Sequence, residues 1–100
     1  MSVRMFHVKI RPEKTAEMEA AGKEMFAAIE AAQPKGVRYT WCRLQDEGNY
    51  LFLVDFDDDA VNPLADLPAW TDVMADLKGS WIAEPLTMEQ LTPIGSYRFF

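Results

Sequence analysis

One cysteine and one histidine in 100 residues remove several chemistries at once. Cys42 has no partner for an internal disulfide. A single Cys with a single His cannot form a zinc cluster or a CxxC pair, and they leave too little for a nucleophilic relay of readable spacing. The five glycines form no phosphate-cradling loop. Positive charge is scarce too. Ten Lys and Arg stand against sixteen Asp and Glu, a formal charge of −6, so a nucleic-acid surface, which demands a basic patch, is not expected. Nor is binding to an anionic membrane. No apolar run approaches a membrane span of about 20 residues. The opening stretch MSVRMFHVKIRPEK carries charges throughout and no apolar core of a secretory signal. These features predict a cytoplasmic protein in which Cys42 is a small, buried apolar residue.

Apolar and aromatic residues are plentiful, at 49% and 12%, enough for one packed domain over residues 1–100. Residues 3–10 alternate, with Phe6, Val8 and Ile10 on one face and Met5, His7 and Lys9 on the other, which predicts a strand. From Pro12 to Ala32 the period changes. Met18, Ala21, Met25, Ile29 and Ala32 fall on one helical face, and QPKG at 33–36 stops the helix. Residues 37–45 alternate again, with Val37, Tyr39, Trp41 and Arg43 facing one way. A turn over 46–49 leads into a strand over 50–56, which predicts an antiparallel hairpin. A second helix is expected over 67–85, capped by Asp66, started by Pro68 and ended by Pro85. Leu67, Trp70, Met74, Leu77 and Trp81 mark its apolar face. The segment 88–100 predicts an edge strand or bulge, given Pro93 and Gly95.

The order β-α-β-β-α-β predicts an α+β, ferredoxin-like fold, with two helices on one face of a four-stranded antiparallel sheet. The strand over 50–56 is apolar on both faces, Tyr50, Phe52, Val54 and Phe56 on one and Leu51 and Leu53 on the other. The helices cover only one face. A second copy of the same sheet is the simplest cover for the other, so a homodimer through the sheet face is expected.

On the stretch RYTWCRLQDEGNYLFLVDFDD, the following helix with PAWTDVM and the terminal strand, the chain resembles the dimeric α/β barrel superfamily. Within it, the resemblance is to antibiotic biosynthesis monooxygenase (ABM)-like domains. It covers almost the whole chain and rests on element order. It implies a cleft between helices and sheet that binds a small aromatic molecule, of polyketide or quinol type. There a phenol or enol would lose its proton and the carbanion would react with oxygen, with no cofactor. Two departures stand out. Many such domains carry a His at the start of the second helix, where this chain reads AVNPLADLP. The haem-degrading members use a helix His as iron ligand, whereas the one histidine here, His7, lies in the first strand.

Several residues are candidates for that cleft. His7 is the candidate catalytic base, because histidine is the residue type suited to taking up a proton near neutral pH; otherwise it is a strand residue in or beside the dimer interface. Trp41, Trp70 and Tyr39 are candidate aromatic walls, or plain core. Arg43 is a candidate anchor for an oxyanion or carboxylate, or one half of a salt bridge across the dimer. Asn62 is a candidate partner for a substrate hydroxyl, or a turn residue before Pro63. Finally, Asp55, Asp57, Asp59 and Asp66 match calcium-loop positions 1, 3, 5 and 12. Ala60 stands where that loop needs glycine, and a strand precedes it, so a solvated strand end is the competing expectation. Three functional classes follow: a cofactor-independent monooxygenase, a non-catalytic ligand-binding dimer, and an assembly domain.

Overall fold

A computed structural model describes residues 3–99. Strand β1 (Val3–Lys9) leads through a 3-10 turn at Pro12–Lys14 into helix α1 (Thr15–Ala32). Strands β2 (Val37–Arg43) and β3 (Asn49–Phe56) follow as a hairpin. A second 3-10 turn at Pro63–Asp66 precedes α2 (Pro68–Asp76), which widens into a π-helical turn at Leu77–Trp81 before β4 (Thr87–Leu91). The four strands form one sheet of order β2-β3-β1-β4, and every pairing is antiparallel. This is the expected ferredoxin-like arrangement.

The alternation read from the sequence fixes which face meets the helices. Phe6 pairs with Phe52, and Phe52 with Trp41, so all three point the same way. With Val8, Ile10 and Tyr50 they form the sheet side of the core. Met18 and Met25 of α1 and Val73, Leu77 and Trp81 of the second helical segment form the other side. Trp81 is only 2% exposed, and its indole N–H donates to Glu17 Oε2 at 2.7 Å. That bond ties the end of the second helix to the start of the first.

Three local features differ from expectation. The first helix begins at Thr15, because Pro12 opens a 3-10 turn instead. It ends at Ala32, as expected, and the capping Gln33 takes a left-handed φ of 47° and donates its N–H to the Ile29 carbonyl at 2.8 Å. Asp66 caps nothing: it closes the second 3-10 turn, while the N-cap of α2 is Leu67, with no side-chain cap. The second helix stops being α-helical at Asp76, nine residues before Pro85. Beyond it, backbone bonds from Arg11 N to Trp81 O (2.9 Å) and Ala83 N to Lys9 O (2.8 Å) hold the chain against the end of β1. The terminal strand is confined to the sheet edge beside β1, and all five of its residues are exposed.

The opposite sheet face carries Met5, His7, Cys42, Leu51 and Leu53. All five are half-buried, and both helices lie on the other side.

Candidate functional site

A cavity of about 510 Å³ opens between the second helical segment and the helix-facing side of the sheet. Its sheet wall is Phe6, Tyr39, Phe52, Val54 and Phe56; Trp70, Met74 and Leu77 oppose it. At one end, the 3-10 turn that precedes the nine-residue α2 buries Leu64 (1% exposed), which also lines the cavity. Asn62 fixes that turn. Its Oδ1 accepts the Leu64 backbone N–H at 2.9 Å.

Behind the sheet wall is an aromatic stack. The Trp41 ring lies on Phe52 with centroids 4.1 Å apart and planes 2° from parallel. Phe26 of α1 meets Trp41 edge-on at 5.6 Å and Tyr39 at 5.4 Å. Such contacts contribute roughly 0.5–1.5 kcal/mol each beyond area burial. They hold Tyr39 in place, as does the hydrogen bond that Trp41 Nε1 donates to its hydroxyl at 2.8 Å.

Two polar groups meet in this apolar setting. Burial holds the Tyr39 phenol above its ordinary pKa, and the indole N–H groups of Trp41 and Trp70 partly oppose that rise. The phenol therefore keeps its proton near neutral pH and can donate a hydrogen bond. Trp70 Nε1 lies near enough to favour a charge on the Tyr39 oxygen, yet makes no hydrogen bond of acceptable geometry and is buried without a partner. A buried unpaired donor costs about 1–3 kcal/mol. A group left unsatisfied in this way calls for an explanation, and a functional role is one.

Of the six residues expected at the site, Tyr39, Asn62 and Trp70 line this cavity. Trp41 does not; it supports Phe52 and Tyr39 from behind. Arg43 and His7 lie elsewhere. Arg43 shares the helix-facing side of β2, but it sits at the far end of the strand and makes a two-pronged ion pair with Glu19 of α1 at 2.8 and 3.0 Å. The salt bridge expected across a dimer is thus made within the chain. His7 pairs with Leu51 and Thr87 on the opposite sheet face, so the strand's two-residue period directs its ring away from the cavity.

Arg4 and Lys78, by contrast, line the cavity without having been singled out from the sequence. The signal for Arg4 was present, since it precedes Phe6 by two residues and shares its face. Arg4 also lies 5.6 Å from the Phe56 ring centroid and pairs loosely with Asp59 at 3.6 Å.

A second, polar hollow of about 420 Å³ lies at the other end of the sheet, between α1 and the β2–β3 hairpin. Tyr50 donates to Glu19 Oε2 at 2.6 Å, beside the Arg43 pair. The Tyr50 bond, helped by Arg43, lowers the Glu19 pKa against the opposing effect of burial. Burial and the adjacent carboxylate push the Tyr50 phenol up to about 12.

The acidic run does not form a calcium loop. Arg38 holds Asp55 at 2.6 Å and Asp57 at 3.2 Å, and Asp59 faces Arg4. Among the described residues, no three His, Cys, Asp or Glu side chains converge as a metal site. No described helix is long and apolar enough to cross a membrane.

No protein-family model and no curated sequence matches the chain. Solved structures do. A candidate antibiotic biosynthesis monooxygenase from Caulobacter crescentus CB15 is 22% identical, with a TM-score of 0.73 over 94% of this chain and 90% of its own. A similarly named protein from Nitrosomonas europaea is 17% identical, with a TM-score of 0.70 over 95% of this chain and 100% of its own. A third, from Bacteroides thetaiotaomicron, is 18% identical, with a TM-score of 0.71 over 93% and 89%. The chain therefore has the ferredoxin-like fold of the ABM-type structures along nearly its whole length.

Proposed function

We propose that the chain binds a small aromatic molecule in the cavity between the second helix and the sheet and oxygenates it without a cofactor. The observation that carries this reading is the pairing of an aromatic cavity with the unpartnered Trp70 N–H beside the Tyr39 hydroxyl. Phe52 and Trp70 both wall the cavity, a setting that suits a flat ring. An enol or phenol oxygen at its edge accepts from Trp70 Nε1 and Tyr39 OH. Those donors stabilise the oxyanion more than the neutral form, which lowers the ligand's own pKa. The carbanion conjugated to that oxyanion forms a C–O bond to dioxygen. Protonation gives the hydroperoxide. Loss of the remaining C–H proton with cleavage of the O–O bond then yields the quinone and one water. The similarity to structures named as candidate monooxygenases supports this reading at the level of fold.

His7 has no part in this scheme. Among the described residues, no Asp, Glu or His lines the cavity, so the substrate proton passes to water. The same observation favours a second reading, a ligand-binding protein that performs no chemistry. Oxygen uptake with anthrone separates the two. Uptake above the buffer rate, with one anthraquinone formed per dioxygen, supports catalysis. Saturable quenching of tryptophan fluorescence by anthrone without uptake supports binding alone. The absence of both signals would remove both readings.

The open sheet face is a separate element of the proposal. Met5, Leu51 and Leu53 lie there without a helix over them, and a second copy laid on this face gives the dimer that the resemblance implies.

A further inference from the structure

Most of the cavity's polar groups can donate, and its charged groups share one sign. Asn62 Oδ1 is already engaged by the Leu64 N–H, which leaves its amide N–H groups to face a ligand. Trp70 Nε1 can only donate. The Tyr39 oxygen already accepts from Trp41, and its proton remains available. The Thr71 hydroxyl spends its proton on the Pro68 carbonyl at 3.1 Å and offers one neutral oxygen. The charged groups on the lining are Arg4 and Lys78, both cationic. In a chain with a formal charge of −6, this is a local reversal of sign.

We infer that the cavity selects aromatic anions, with the rings against the Phe52 and Trp70 walls and a carboxylate or ionised oxygen held by Arg4 and Lys78. This rests on the reading of the cavity as an aromatic-ligand site and narrows the ligand's class. A neutral aromatic gains the apolar walls but leaves the two cations unmatched. A cationic one meets repulsion on top of unmatched donors. Arg4 is available because its partner is weak: Asp59 stands 3.6 Å away with a side chain 65% exposed, and a pair of that kind contributes little. A ligand carboxylate can take the guanidinium with two short parallel bonds that Asp59 does not make.

The test compares 2-naphthoate with 2-acetonaphthone, a neutral ketone of nearly the same shape, by calorimetry or tryptophan quenching on the full chain. Naphthoate binds at least tenfold more tightly. Arg4→Gln combined with Lys78→Gln abolishes that difference, while Arg4→Lys keeps most of it. Asp59→Asn releases Arg4 and tightens naphthoate binding two- to threefold with no change for the ketone; a merely structural Arg4–Asp59 pair would instead weaken both. Equal affinities in the native chain, or a difference that survives the double substitution, overturn the anion preference and leave the aromatic cavity standing. Failure of both probes to bind overturns the aromatic cavity itself, and the inference with it.

Discussion

The Trp41 indole lies so close to Gly22 of α1 that a Cβ on that glycine would come within 2.5 Å of its ring. Gly22 lies in mid-helix, where alanine is ordinarily favoured by about 1 kcal/mol. Here the close approach outweighs propensity. Trp41 has little room to retreat, since it is stacked on Phe52 and bonded to the Tyr39 hydroxyl. Overpacking of this kind costs about 1–3 kcal/mol. Set against the propensity gain, Gly22→Ala should lower the unfolding free energy in urea by up to about 2 kcal/mol; a rise would show that the ring moves freely.

Trp70→Phe separates stability from function. It removes a buried donor without a partner, which relieves about 1–3 kcal/mol, and it deletes ring volume at a similar cost. The expected change in stability is within about 1 kcal/mol of zero. If the proposed role of that donor holds, binding of an oxygen-bearing aromatic should nevertheless weaken tenfold or more. Parallel urea melts and ligand titrations check both halves.

The Tyr50–Glu19–Arg43 cluster makes stability depend on pH in two windows. Folding lowers the Glu19 pKa, so its contribution is present above the ordinary carboxylate value of about 4.3 and disappears as pH falls below it. Folding raises the Tyr50 pKa from its ordinary value near 10 to about 12. Its contribution is therefore complete below pH 10 and is lost as pH climbs through that interval. Tyr50→Phe should flatten the alkaline limb of a melting-temperature profile, and Glu19→Gln the acidic one.

Placing a charge on the open sheet face tests the dimer. Leu53→Glu puts a carboxylate between Met5 and Thr40, its cross-strand neighbours. In sedimentation equilibrium the native chain should run at twice its 11.4 kDa mass and the variant at the single-chain mass. A native chain that is already monomeric would refute the sheet-to-sheet assembly.

The face of each strand was legible because a two-residue period leaves little ambiguity when Phe6, Val8 and Ile10 line up against Met5, His7 and Lys9. That same alternation already separated His7 from the aromatic face. Its chemistry, rather than its position, had made it a candidate. Helix 2 was harder to read. The apolar positions from Leu67 to Trp81 keep helical spacing across the π turn, so the pattern alone does not mark where α-helix ends at Asp76. Asp66 looked like a cap because its side chain is a good one, but Asn62 had already started a 3-10 turn that moved the helix start past it. The cavity was legible only as a cluster of aromatics. Its cationic lining depends on which strand ends and turns border the same cavity, as Arg4 and Lys78 do from 74 positions apart in the sequence.

The π turn carries two duties within five residues. Leu77 and Lys78 face the cavity, while Trp81 reaches back to Glu17. An α-helix turns about 100° per residue, and a π turn accommodates one residue more per turn. Deleting a single residue such as Gly79, whose surroundings are open, would wind the segment back toward an ordinary helix and swing Trp81 off its socket. The length of this turn thus couples two things: the cavity wall at Leu77 and Lys78 and the bolt that joins the two helices shift together.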